Sequence, residues 1–440
     1  MEKAIKISQF QDVFNPAPLS TKKDIEEFYY QTSLARTGDE YSDFVRMLSI
    51  QIEDSKDTCL HKIFIGHAGS GKTTELFRLR EYLEEKKFVT GFGRCDLDLD
   101  GGDIEYIDVL FLILDILVGM CQEYDIKLSS QTVKKIYDYW YTEVENIDNT
   151  TSYVELGIED GIEASVKLLT LAKVFAKIKG ILKNSSESRM TLRKKVEPKV
   201  SELMLQIKEL IVYVQEELKK LGLRDIPVII LDGLDKIPIN QARQIFKKNG
   251  ARFADLPIHL IITFPIALTY DASYQLIQSW FPNPEKLPMI KIHKWNKDHY
   301  EEGYVEGINT LKTMVGLRAD AELFEEKVLE TLILNTGGYI RDLFACISKA
   351  ATRARVRGAE TVSMKDAEYA LGVLEADLNG RYKEKSIDTL KKIYNGEKYF
   401  SASEEITELL QIGVVLEYNG ERWCDLHPLV TKWLKEHKKV

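Results

Sequence analysis

Two short stretches of the chain carry residue types whose spacing suits phosphate chemistry. The first, GHAGSGKTTEL, holds Gly66, His67, Ala68, Gly69, Ser70, Gly71, Lys72, Thr73 and Thr74, and fits the pattern G-x-x-x-x-G-K-T. Its glycines let the backbone curl so that several N–H groups converge on one point, and a helix opening there adds its positive end. Lys72 has the reach for the β and γ phosphates of a nucleotide, and the Thr73 hydroxyl is a ligand type for Mg²⁺. The second stretch, VIILDGLDKI, places Asp232 after four apolar residues. A carboxylate at the C-terminal end of a buried strand supplies the other protein ligand of such a magnesium. ATP and Mg²⁺ are therefore the expected ligands.

These residues need a particular scaffold. HKIFIG (61–66) reads as a short buried strand, TTELFRLREYLEEKK as a helix with Leu76, Leu79 and Leu83 on one face, and FVTGFGRCDLD (88–98) as a second strand. Strand, loop, helix and strand in close succession predict a βαβ unit and a parallel sheet. PVIILD (227–232), LPIHLIITF (256–264) and MIKIHKW (289–295) supply three more strands, with helices at 240–249 and 271–281 between them. A helix over 22–35 and another over 43–52 precede the sheet. The interval before PVIILD is mostly helical, with an amphipathic segment at 164–183 and a helix at 198–220 striped by Leu203, Ile207, Leu210, Val214 and Leu218. The expected domains are an N-terminal helical linker (1–60), an α/β nucleotide-binding core (61–295, with a helical insertion about 124–220), a helical lid (296–380) and a winged-helix domain (381–440). Helices at 385–394 and 401–410, then two strand-like runs flanking Asn419-Gly420, give the last of these its pattern.

Composition narrows the class. The net charge of -9 provides no global attraction to nucleic acid or anionic membrane. The five cysteines are scattered, which argues against a disulfide framework or structural zinc and fits a reducing cytoplasm. The longest apolar stretch, 109–120, is short for a bilayer and contains Asp115, so no membrane span is expected. From 165 to 200 there are ten Lys/Arg against two Glu. That pattern suits either a basic face for a membrane or acidic partner, or a helix packed on a neighbour with solvated lysines.

GHAGSGKTTEL, VIILDGLDKI and NTGGYIRDLF, in this order and followed by the helix–hairpin pattern, resemble AAA+ type P-loop ATPases, in particular the STAND signalling ATPases and the origin-recognition initiator group. The D-G-L-D form is most similar to STAND proteins. The resemblance implies that Lys72, Thr73 and Asp232 bind phosphate and magnesium. It implies that Thr263 is a γ-phosphate sensor, although a strand-end threonine bonded to backbone fits equally. Arg341 would reach the phosphates from the lid, or else be a solvated helical arginine. Tyr29 or Tyr30 would lie near the adenine. The family's catalytic glutamate would stand at 233, which is glycine, and this puts fast hydrolysis in doubt. Asp235 is the nearest substitute, as a water-orienting base or as a helix cap. No arginine finger is evident; Lys286, Arg243 and Arg252 are the nearby cations, and His427 belongs to the wing. The implied function is a slow, ATP-driven switch acting by self-association or on a protein effector, as in bacterial antiphage systems. The alternative is a DNA-binding initiator or loader, which the acidic helix near Glu404, Glu405 and Glu408 does not favour.

Overall fold

Parallel strands with continuous apolar runs must have both faces covered, and alternate residues of this sheet do enter opposite cores. The computed structural model describes residues 2–126, 136, 140, 164–293, 303–397, 400–418, 423–437 and 439. Strands β1 (His61–Gly66), β2 (Thr90–Arg94), β3 (Val228–Asp232), β4 (His259–Pro265) and β5 (Glu285–Lys286) form one parallel sheet in the order β2-β3-β4-β1-β5. Phe64, Val228, Ile230 and Ile261 pack with the helices Phe44–Asp54 and Lys72–Glu85 on one face. Ile63, Ile65, Ile229, Leu231 and Ile262 pack on the other against the helix Tyr106–Glu123, which is apolar nearly all round, and against the insertion. The C-terminal ends of β3, β4 and β1 thus lie side by side.

The insertion forms helices Ala164–Asn184, Ser186–Val196 and Val200–Lys220. The stripe of Leu203, Ile207, Leu210, Val214 and Leu218 is fully buried. Three of the ten basic residues of that stretch, Lys179, Arg189 and Arg193, pair with carboxylates of the chain. Lys179 lies 2.9 Å from Asp98 and 3.4 Å from Asp115. Buried Arg193 reaches Asp103 and Glu105, each at 3.0 Å, and the Asp108 carboxylate. Arg189 reaches Asp100 at 2.9 Å and Asp103 at 3.0 Å. Burial pushes the Asp108 carboxyl up, and Arg193 opposes that shift. The acidic stretch just before the insertion helices, and the Asn419-Gly420 turn, lie outside the described residues.

The lid comprises helices Val305–Arg318, Val328–Asn335, Ile340–Val356 and Met364–Asn379. Ala4, Ile7, Phe10, Val13 and Phe14 enter its core, so the first residues belong to the same packed body as the lid. Helices Ile387–Tyr394 and Glu404–Gln411, the antiparallel pair β6 (Val415–Tyr418) and β7 (Trp423–Leu426), and helix Pro428–Glu436 complete the chain. Among the described residues no helix is long and apolar enough to cross a membrane.

Three expectations change. The second strand spans Thr90–Arg94 and not 88–98, and Cys95–Asp98 turns helical. The fifth strand is Glu285–Lys286 and not 289–295. Pro288 lacks an N–H and ends the pairing; Met289 then bridges to Tyr418, and Ile290 and Ile292 enter the lid core. The helix expected over 22–35 is two helices, Lys22–Phe28 and Ser33–Thr37. Tyr29 turns extended between them, with its hydroxyl on Glu75.

Removing one partner of a buried ion pair leaves the other charge uncompensated. Arg193→Ala is expected to lower unfolding free energy by about 3 kcal/mol in urea titrations, whereas Met190→Ala on the exposed face of the same helix stays within about 0.5 kcal/mol.

Candidate functional site

At the end of β1 the chain turns through Gly69 and Gly71, at φ 92° and 105°, into the helix Lys72–Glu85. Few side chains tolerate that conformation. Space is equally tight, since a Cβ on Gly69 would lie 2.7 Å from Arg341 Nε. The first N–H groups of the helix open toward this turn, as an anion site requires. Lys72 is buried, and its Nζ donates to the carbonyls of Gly66 (2.7 Å) and His67 (2.8 Å). The same nitrogen lies 2.8 Å from Asp235 Oδ2 as an ion pair. Burial pushes the ammonium pKa down, and the Asp235 charge opposes it.

Thr73 Oγ1 donates to Asp232 Oδ2 at 2.7 Å. Arg94, aligned with Asp232 across β2 and β3, brings Nε within 3.2 Å of the same oxygen. Asp232 Oδ1 and Ser70 Oγ are buried without a hydrogen-bond partner. Burial pushes the Asp232 carboxyl up, as does the charge of Asp235. These orphaned oxygens fit a hydrated cation with phosphate. Among the described residues no cluster of three His, Cys, Asp or Glu side chains is placed to hold a metal. Thr73 and Asp232 would supply two oxygens, and phosphate and water the rest, the usual arrangement for Mg²⁺.

A cleft of about 720 Å³ opens beside Lys72, Thr73 and Thr74, within the range of small-molecule sites. Leu19, Phe28 and Tyr30 line it from the N-terminal segment, and Met314, Arg318, Ile340, Arg341 and Phe344 from the lid. Arg341 therefore lies over the phosphate loop and not in open solvent. Tyr29 also lines the cleft, but the Arg78 guanidinium sits 3.9 Å from its ring centre and one ring face is covered. Tyr30 is partly exposed.

Two other expected residues are held by local structure. Thr263 is fully buried; its Oγ1 accepts the Leu234 N–H at 3.2 Å and lies 3.5 Å from the Leu231 carbonyl, which pins the turn after β3. Asp235 is buried against Lys72 as an ion pair without a well-aligned hydrogen bond. Gly233 has φ 93°, and a Cβ there would meet Asp96 Oδ1 at 2.4 Å and Asp96 N at 2.8 Å. A glutamate at 233 has no room.

The phosphate loop is also gripped from outside the core. His67 Nε2 accepts the N–H of Glu417 in β6 at 2.9 Å. The Tyr339 hydroxyl donates to the Ala68 carbonyl. Arg36 donates to the Ser70 carbonyl at 2.7 Å and to the Pro288 carbonyl, and burial pulls its guanidinium down to about 10. Glu417 accepts from Tyr270 at 2.7 Å and from Lys286 at 3.2 Å. Arg36, Arg94, Asp96 and Glu417 carry no motif and were not legible as site residues; Tyr339 lies within NTGGYIRDLF but was not singled out there. The remaining cations are engaged within the chain. Arg243 pairs with Asp271 and Glu404, each at 2.7 Å, and Arg252 bonds Asn249 at 3.2 Å. His427 caps the last helix, 3.6 Å from Asp342.

The architecture is that of a P-loop NTPase. No protein-family model matches the chain, and no curated protein does. Among solved structures it is similar to the Walker-type ATPase PABY2304 of Pyrococcus abyssi, at 12% identity over 96% of this chain and 99% of that one, with a TM-score of 0.47. Cdc6p from Pyrobaculum aerophilum matches at 12% identity over 97% and 98%, with a TM-score of 0.42. The Aeropyrum pernix ORC2 protein matches at 12% identity over 98% and 99%, with a TM-score of 0.41. The strand order and phosphate loop, not these distant likenesses, define the fold.

Burial, and secondarily Lys72, pushes His67 from its ordinary 6.5 down to about 3. The unfolded chain therefore takes up the proton first. Stability from this group is full above the unfolded pKa and is lost as pH falls through the window from 6.5 toward 3. Linkage gives a loss of about 2 kcal/mol between about pH 7 and about pH 5. His67→Gln keeps an acceptor for the Glu417 N–H but does not titrate, so its unfolding free energy should vary by about 2 kcal/mol less than the unaltered chain over that interval.

Proposed function

We propose that the chain is an ATP-binding, slowly hydrolysing switch of AAA+ type, in which nucleotide in the phosphate loop controls the grip of the lid and the C-terminal module. The observation that carries this reading is the pair of contacts His67–Glu417 and Tyr339–Ala68, through which residues far along the chain hold the loop that would receive phosphate. A ligand with no differential contact to two states shifts nothing. Here phosphate oxygens and the Ala68 and His67 groups share one loop, so bound and free states differ where the C-terminal module attaches. Lys72, Thr73, Asp232 and Arg341 are assigned to phosphate and magnesium, and Thr263 to holding the turn beside them. The winged-helix reading of the C-terminal module makes it the moving element, acting by self-association or on a protein effector.

The alternative is a DNA-binding initiator. Arg189 and Arg193, the arginines of the basic insertion, are occupied by carboxylates, and the helix Glu404–Gln411 presents Glu404 and Glu405 in its first turn. Both features oppose a phosphate backbone on those surfaces.

Lys72→Ala is expected to remove ATP binding, read by a fluorescent ATP analogue with magnesium; retained tight binding would refute the phosphate assignment. Particle mass should change with ATP and not with ADP. Equal behaviour with both nucleotides would sink the switch, and a duplex-DNA mobility shift that weakens steeply with salt would favour the initiator.

A further inference from the structure

The turn after β3 leaves a chemical role unfilled. Position 233 has no side chain, and Asp235, the next acid after Asp232, is sealed against Lys72 with its side chain 1% exposed. The space in front of Gly233 is nevertheless occupied by an acid. Asp96 lies two residues beyond the end of β2, and its Oδ1 and backbone N take the space a Cβ at 233 would need. β2 and β3 are paired so that Arg94 stands opposite Asp232, and the next residues of the two strands emerge together at the magnesium end of the sheet.

We propose that Asp96 is the carboxylate that orients water for hydrolysis in this site, in the place that Gly233 vacates. The inference rests on the ATPase reading above. Its support is geometric. Asp96 is fixed by Arg94, with Nε and a terminal nitrogen each at 3.2 Å, and by Lys236 Nζ at 2.6 Å. Arg94 and Lys236 both line the cleft. The Asp96 side chain is 18% exposed, against 1% for Asp232, so water reaches it. Burial pushes its carboxyl up, but Arg94 and Lys236 outweigh that and hold it below the ordinary range. Asp96 is thus an ionised hydrogen-bond acceptor at neutral pH.

A weak base suffices because the transition state of phosphoryl transfer is loose and demands positioning more than proton abstraction. Asp96 accepts a hydrogen bond from one water O–H. The water oxygen bonds to the γ phosphorus, and the bond from that phosphorus to the β–γ bridging oxygen breaks. The products are ADP and inorganic phosphate, and the water proton ends on phosphate or in solvent.

The test uses the full chain, magnesium and ATP. Single-turnover phosphate release and fluorescent-ATP binding are measured for Asp96→Asn, Asp96→Ala and Asp235→Asn. Asp96→Asn should keep ATP affinity and lose about 100-fold or more in hydrolysis rate. Asp96→Ala should behave likewise and recover part of its rate with added formate, which a purely structural acid would not show. Asp235→Asn should change ATP affinity through its pairing with Lys72. Unchanged hydrolysis in either Asp96 variant overturns the proposal, as does loss of ATP binding in both, or abolition of turnover by Asp235→Asn alone. Failure of the unaltered chain to bind ATP would instead remove the reading on which the proposal stands.

Discussion

A lysine ammonium buried at the end of a parallel sheet must be neutralised, and much of this molecule follows from how that is done. Lys72 is met by two loop carbonyls and Asp235. Around it Asp232, Arg94, Asp96 and Lys236 alternate in sign, so the six charges cancel. Charge pairing within the site therefore sits beside polar atoms without protein partners, Asp232 Oδ1 and Ser70 Oγ. Under the switch proposed above, nucleotide binding would displace some of these pairs and so be coupled to a rearrangement. That coupling separates a switch from a simple receptor.

The same loop is tied to the rest of the chain. The loop that presents Lys72 also presents the His67 ring to β6 and the Ala68 carbonyl to Tyr339. Its Ser70 carbonyl is held by Arg36 from the N-terminal segment. Four parts of the chain therefore meet on a few consecutive residues. Glu417 deepens the connection, because its carboxylate gathers Tyr270 and Lys286, both from the α/β core.

The phosphate loop, the strand carrying Asp232 and the long helices were legible because each is written in adjacent residues: a glycine spacing, an apolar run, a stripe. The fifth strand was misplaced because apolar alternation at 289–295 outweighs two polar residues hemmed by prolines, and only pairing to β1 identifies Glu285 and Lys286. Tyr29 breaks its helix for a contact with Glu75 that no local propensity encodes. The second ring of the site was beyond reach for the same reason. His67 and Glu417 are 350 residues apart, and nothing near either one marks the partner. Gly233 was legible as a departure from the family pattern, but its cause lies in Asp96, just beyond the end of a different strand.

That last contact also restricts how the sequence can drift. A methyl group at 233 would overlap the carboxylate of Asp96, and the backbone there has positive φ. Positions 96 and 233 therefore share one volume at the sheet edge. A lineage that gained a side chain at 233 would first have to trim 96, and one that shortened 96 would leave a hole that 233 is free to fill. The two sites should change as a pair among descendants of this chain, with the acid passing from the end of one strand to the end of the other while its place beside Asp232 stays the same.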